Sequence, residues 1–81
     1  MDAIEVGRRV RAARCYAGIE QEDLAQLLGM SRNTLYKVER GKRAAKPGEL
    51  REIAHQCGLP VWFLTEPWPR DPGPPDRRDR S

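Results

Sequence analysis

Four glycines divide most of the chain into segments of helical length. Gly18, Gly29, Gly41 and Gly58 each follow a run in which apolar residues recur every three or four positions, which is the repeat of one face of an α-helix. Glycine ends helices because it readily adopts the left-handed conformation. No stretch shows the two-residue alternation of a half-buried strand. The spacing therefore predicts an all-α fold of short helices.

Residues that begin helices support the same division. Asp2, with Glu5 three positions later, forms a start that resembles a capping box. Ser31 is a good N-cap residue, and Pro47 suits the first position of a helix. The first predicted helix ends at about residue 17. Three more are predicted over about 21–28, 32–39 and 47–57, and a short helical turn over 61–65.

The apolar positions predict one small core. Apolar residues make up 38% of the 81 residues, which suffices for a single domain. We expect residues 1–66 to form a compact bundle of about five short helices. The predicted core residues are Val6, Val10, Ala13, Leu24, Ala25, Leu28, Leu35, Val38, Leu50, Ile53, Ala54, Cys57, Leu59, Phe63 and Leu64.

Residues 67–81 differ in composition from the rest of the chain. They hold five of the seven prolines, and proline interrupts helices and central strands. Arginine and aspartate make up most of the remainder. This segment is predicted to be a disordered Pro-rich tail or linker.

Several classes of protein are excluded by the sequence. No run approaches the ~20 apolar residues of a membrane span, and the N-terminus lacks a signal-peptide core. Cys15 and Cys57 are too few for a disulfide scaffold or a zinc site. His55 is the only histidine and has no acid or nucleophile at catalytic spacing. We expect a cytoplasmic protein that is not an enzyme, with no catalytic residues, metal or cofactor.

Basic residues concentrate around one predicted helix. The net charge is +3 at pH 7, and positions 31–46 hold six lysines and arginines against the single acid Glu39. The first helix carries four more arginines, Arg8, Arg9, Arg11 and Arg14. A molecule with one basic face suits a polyanion.

The segment 21–40 carries the functional signal. Its sequence, QEDLAQLLGMSRNTLYKVER, combines two short amphipathic helices with a glycine-containing turn. Ala25 is small where the two helices must cross, and Gly29 stands where the chain must turn sharply. This pattern predicts a helix-turn-helix.

The chain resembles the Cro/repressor-type, lambda-repressor-like family of helix-turn-helix DNA-binding domains. The family's first helix is matched by VGRRVRAAR at 6–14. Its core is matched by GIEQEDLAQLLGMSRNTLYKVERGKR at 18–43, and its last two helices by PGELREIAHQCGLPVWFL at 47–64. The resemblance implies that the helix over 32–39 enters the major groove of double-stranded operator DNA. It also implies a transcriptional regulator, most simply a repressor of phage-immunity type.

The exposed side chains of that helix are the predicted base contacts. They are Arg32, Asn33 and Lys37. Arginine or lysine pairs with guanine, and asparagine pairs with adenine. The alternative is that they contact only phosphate or water.

The predicted phosphate contacts surround these residues. They are Gln21, Ser31, Thr34, Tyr36, Arg40, Lys42 and Arg43. Gln21 would add its amide to the free N–H groups of a helix start, and the basic loop around Gly41 would clamp phosphate. Other roles stay open, namely capping by Gln21 or Ser31, a thymine-methyl contact by Thr34 and packing by Tyr36.

The resemblance assigns Arg14 and Glu39 to a structural ion pair instead of to DNA. The sequence leaves the roles of Arg8, Arg9 and Arg11 open: Arg9 or Arg11 can contact backbone phosphate, but exposure to solvent is favoured for all three.

The last helix bears on assembly. Trp62 stands where the family usually has a polar residue, and the resulting aromatic surface predicts a weak or DNA-induced homodimer, against a monomeric module.

At the start of the second helix, Glu20 replaces the usual serine or threonine and places an acid near DNA.

Two other functions remain open. An antitoxin- or adaptor-type module would bind a partner protein through its C-terminal tail, with Trp68 as the anchor. A non-specific nucleic-acid binder would show affinity governed by salt alone. The basic, asparagine-bearing start of the helix over 32–39 favours specific DNA binding.

Overall fold

The computed structural model describes residues 1–66 and contains five α-helices. They are α1 (Ala3–Ala17), α2 (Gln21–Leu28), α3 (Arg32–Glu39), α4 (Pro47–Cys57) and α5 (Trp62–Thr65). The described part of the chain contains no β-strand. The predicted all-α fold is therefore confirmed, whereas the predicted tail over 67–81 lies outside the described residues.

The helices begin and end where the sequence signals predict. Asp2 Oδ1 accepts a hydrogen bond from Glu5 N at 2.8 Å, and Ser31 Oγ accepts one from Thr34 N at 3.1 Å. By contrast, the N-cap residue of α2, Glu20, makes no capping hydrogen bond with its side chain. In the turn between α2 and α3, Gly29 has φ of 71°, a conformation that most other residues reach only with strain.

The core contains the apolar faces of all five helices. Leu24, Leu35, Ile53 and Leu64 are among its largest fully buried side chains. Val6, Leu28, Leu59 and Phe63 are partly buried against this core. The helical spacing of apolar residues therefore predicts the packing side of each helix.

The N-terminal half of α1 lies directly on the end of α3. A Cβ atom added at Gly7 would clash with the carbonyl oxygen of Val38 and lie 2.6 Å from that of Glu39. Just beyond α3, Gly41 has φ of 74°, and a Cβ there would lie 2.7 Å from Ile4 Cα. Two glycines thus allow the backbones to approach where any side chain would hold them apart.

Arg9 connects α1 to the last helix. Its side chain is buried, Nε donates to Glu5 Oε2 at 3.2 Å, and Nη1 donates to the carbonyl oxygens of Phe63 and Glu66. These carbonyls lie at the C-terminal end of α5, where helix carbonyls lack intrahelical donors. Arg9 is therefore neither a phosphate contact nor a solvent-exposed residue, because its guanidinium closes the end of α5.

Candidate nucleic-acid interface

The exposed face of α3 carries the three predicted base contacts. Leu35 and Val38 are buried and hold one side of α3 on the core, so the other side of the helix points outward. Arg32, Asn33 and Lys37 are all exposed. Asn33 and Lys37 are four positions apart and therefore share one face of the helix. Neither side chain has a partner within residues 1–66, so both amide and ammonium groups are available to a ligand.

A chain of hydrogen bonds links α1 to the first residue of α3. Arg14 Nε donates to Glu39 Oε2 at 2.7 Å, and Gln21 Nε2 donates to Glu39 Oε1 at 3.1 Å. Arg32 Nε then donates to Gln21 Oε1 at 3.3 Å. The amide of Gln21 thus contacts both the buried carboxylate of Glu39 and the guanidinium of Arg32, the first residue of α3.

The centre of this chain is a mostly buried ion pair. Glu39 is only 6% exposed, and Arg14 makes a second bond to its carboxylate at 3.2 Å and a third to the carbonyl oxygen of Ile19 at 3.0 Å. Hydrogen bonding to Glu39 raises the pKa of Arg14 above its ordinary value, against the opposing effect of burial. The pair fixes α1 against the end of α3.

The predicted phosphate contacts fall into two groups. Lys42 is exposed and unpaired among the described residues, and Arg40 places its guanidinium 5.7 Å from the centre of the Tyr36 ring, which is 43% exposed. These groups are free to meet a ligand. Ser31 and Thr34 instead hydrogen-bond to each other through their hydroxyls at 2.9 Å as part of the α3 cap.

Arg43 is engaged within the protein. Its two terminal nitrogens each lie 3.0 Å from an oxygen of Glu49, and Glu49 Oε1 also accepts from Lys46 N at 2.9 Å. The bidentate contact with Arg43 lowers the pKa of Glu49. The structure therefore uses Arg43 to fasten the basic loop to the start of α4, a role that the sequence pattern of a charge run does not reveal.

The start of α2 carries opposite charge. Glu20, Glu22 and Asp23 are all exposed there, next to Gln21. These acids oppose the approach of a phosphate to this helix start, although they complement the helix dipole.

Exposed aromatic surface is found on the last helix. Trp62 is 44% exposed, and its ring lies 6.4 Å from that of Phe63, which packs against the core. Trp68 lies outside the described residues.

The two cysteines differ in exposure. Burial raises the pKa of the Cys57 thiol, while Cys15 is exposed.

Two residues that the sequence analysis did not place have signals that can be recognised afterwards. Arg9 follows Val6 by three positions and precedes Ala13 by four, so the helical repeat puts it beside the core. Gly7 lies inside α1, where neither a cap nor a turn explains a glycine, and such a glycine often marks a close approach.

Two kinds of feature are absent from residues 1–66. No group of three or more histidine, cysteine or acidic residues is arranged to hold a metal ion. No helix is long and apolar enough to cross a bilayer.

Two short helices, α2 and α3, are joined by a tight turn at Gly29, and α3 exposes a basic face. This arrangement defines a helix-turn-helix protein. The family model described as "Helix-turn-helix domain" matches residues 5–61, and the chain belongs to this family.

Curated relatives carry corresponding names. An uncharacterized HTH-type transcriptional regulator of Sinorhizobium medicae is 34% identical over 70 residues, which are 86% of this chain and 50% of the relative. The uncharacterized HTH-type transcriptional regulator YazB of Bacillus subtilis is 39% identical over 67 residues, 83% of this chain and 97% of YazB. The chain thus spans half the length of the first relative and nearly all of the second.

A solved structure shows the same fold. The restriction-modification controller protein C.AhdI from Aeromonas hydrophila is 32% identical and superposes with a TM-score of 0.72. The match covers 78% of this chain and 91% of C.AhdI.

Proposed function

We propose that this chain binds a specific sequence in double-stranded DNA through α3 and regulates transcription in the cytoplasm. One observation carries the proposal: Arg32, Asn33 and Lys37 project from a helix whose opposite face is locked in the core. The names of its relatives as HTH-type transcriptional regulators support it.

The proposed mechanism follows from the dimensions of DNA. The major groove is wide enough for one α-helix, and its base edges present donors and acceptors that differ for each base pair. Asn33 would pair with adenine, and Arg32 or Lys37 with guanine. Tyr36, Arg40 and Lys42 would contact the flanking phosphates, which fix the position of the helix without specifying sequence.

Repression is the simplest outcome of such binding. A tightly bound protein occludes polymerase without needing a further contact surface, and a role of phage-repressor type is the form that the sequence resemblance implies.

The exposed Trp62 on α5 supports a weak or DNA-induced homodimer, because aromatic residues are enriched at interfaces. Such a dimer would contact two half-sites about 34–36 Å apart, or a multiple of that distance.

Selection from a random duplex pool at near-physiological salt tests the proposal. We expect enrichment of a defined motif, arranged as a palindrome if the protein dimerises. A pool that shows no enrichment, with retention that collapses as salt rises, would overturn specific recognition. That result would favour the partner-binding function of the tail or non-specific binding instead.

A further inference from the structure

A groove of about 1080 Å³ lies between the outer side of α1, the start of α2 and α3. We call it the α1–α3 groove. Five arginines line it: Arg8, Arg11, Arg14, Arg32 and Arg40. Two carboxylates also line it, and that of Glu39 is already bonded to Arg14 and Gln21.

Three of the other lining arginines, Arg8, Arg11 and Arg40, form no strong ion pair among the described residues. Arg11 is exposed and has no ion-pair partner within residues 1–66. The Arg8 side chain is 75% exposed, and its contact with Glu5 is 3.9 Å long, a distance and exposure at which a pair contributes little. The guanidinium of Arg40 lies over the Tyr36 ring and forms no ion pair with an acid within residues 1–66. Glu20 is the one lining acid that bonds to no arginine of the described chain. The lining arginines outnumber the lining acids, so the groove is cationic, with Glu22 and Asp23 beside it at the start of α2.

The close approach of α1 and α3 places charges on both walls. Gly7 lets the α1 backbone rest on the carbonyls at the end of α3. Arg8 follows directly, and Arg11 is three positions further along, on the same side of the helix. The arginines of α1 therefore face the same open space as Tyr36 and Arg40 of α3.

We propose that the α1–α3 groove binds the phosphate backbone of DNA, with Arg8 and Arg11 contacting a strand of the duplex whose base edges α3 contacts. A guanidinium matches a phosphate in geometry as well as charge. Because Arg32 and Tyr36 belong both to the groove wall and to α3, a strand beside the recognition helix passes the groove. The inference rests on the proposed function and extends the interface to a helix outside the helix-turn-helix.

The test is the salt dependence of DNA binding by the double variant Arg8→Ala/Arg11→Ala. Binding is measured at several salt concentrations on a selected duplex and on an unrelated one. Each lost phosphate contact lowers the slope of log K against log salt by about 0.9. We expect weaker binding to both duplexes, a slope reduced by about two, and an unchanged preference between them.

Two matched variants isolate the cause. Arg51→Ala removes an exposed arginine of α4 that does not line the groove, and we expect it to leave the slope unchanged. Arg8→Lys/Arg11→Lys keeps the charges and should retain most of the slope. Circular dichroism and thermal melting confirm that each variant is folded.

A slope for Arg8→Ala/Arg11→Ala equal to that of Arg51→Ala overturns the proposal. So does an equal loss in the lysine variant, because the effect would then not depend on charge. The outcome is separable from the proposed function: a wild-type protein without sequence preference refutes specific recognition, while the slopes on any duplex still report on the groove.

Discussion

Asn33 and Lys42 are both exposed and unpaired among the described residues, yet the proposed interface gives them different roles. Asn33→Ala should relax preference at one base position of the selected motif, by about 1–3 kcal/mol of discrimination. Lys42→Ala should weaken binding to every duplex and lower the salt slope by about one. Competition binding with single-base variants of the motif distinguishes the two. Equal, sequence-independent losses would remove Asn33 from base contact.

The Arg14–Glu39 pair makes a prediction about stability. Arg14→Met or Glu39→Met alone leaves one charge buried without its partner and should cost about 3–5 kcal/mol. The double variant should lose far less than the sum of the two, because neither charge remains. Urea denaturation of the four proteins gives the coupling free energy. Strictly additive losses would contradict a direct interaction in solution.

Individual site residues were predictable to different degrees. Exposure of Arg32, Asn33 and Lys37 follows from helical periodicity once Leu35 and Val38 are placed in the core. The partner of Arg43 does not follow, because a bidentate contact with Glu49 depends on how the loop returns to α4. The bonds from Arg9 to α5 depend on contacts across more than 50 positions of sequence.

At the scale of helices, the contact between α1 and α3 makes Gly7 sensitive to substitution. Gly7→Ala improves helix propensity by about 1 kcal/mol, but the added methyl meets backbone carbonyls that cannot rotate away. Overpacking of this kind costs about 1–3 kcal/mol or more, so we expect net destabilisation by thermal and urea unfolding.

Gly48→Ala is the matched control. Gly48 lies in α4, and the nearest atom to an added Cβ is Arg51 Nη2 at 3.8 Å. This substitution should be neutral or stabilising by up to about 1 kcal/mol. A Gly7→Ala protein as stable as Gly48→Ala would show that α1 and α3 are further apart than described.

The junction between the basic loop and α4 should contribute to the pH dependence of stability. Arg43 holds the pKa of Glu49 below its ordinary value of 4.5. The folded state therefore binds this proton less readily, and the resulting stability is present above pH 4.5 and is lost as the pH falls through the lowered pKa. In Glu49→Gln, the urea midpoint should fall less between pH 7 and pH 3 than in wild type.

Glu52→Gln provides the comparison on the same helix. Its carboxylate bonds to Gln56 and pairs with no arginine among the described residues. We expect its pH dependence to stay close to that of wild type. A Glu49→Gln protein with the same pH dependence as Glu52→Gln would argue against the ion pair.

The positions of the helices were more predictable than their contacts. Gly18, Gly29 and Gly58 end α1, α2 and α4 as expected, because a helix terminus is a local event written in a few residues. The approach of α1 to α3 is set by two glycines whose neighbours lie more than 30 positions away in sequence. A local signal such as a glycine within a helix can mark a close approach, but it does not identify the residues that are approached.

For the whole molecule, α5 is the proposed contact between two copies on DNA. Trp62→Ala should leave binding to a single half-site unchanged and lower affinity for a palindrome about tenfold, since an interface aromatic commonly contributes more than 1 kcal/mol. Tyr16→Ala, which removes an exposed aromatic from α1, is the control. Titration of each duplex gives the two affinities, and an affinity of Trp62→Ala for the palindrome equal to that of wild type would exclude this contact.

The hydrogen-bonded chain from Arg14 to Arg32 has a consequence for anyone who wishes to redirect the protein to a new target. Glu39 belongs to α3, but its partners belong to α1 and α2. A recognition helix grafted from another protein must therefore keep a carboxylate at position 39, or the recipient scaffold loses its anchor. Asn33 and Lys37 can be replaced without loss of a polar contact within residues 1–66. Arg32 is bonded to Gln21, so a new residue at position 32 requires a compatible residue at position 21.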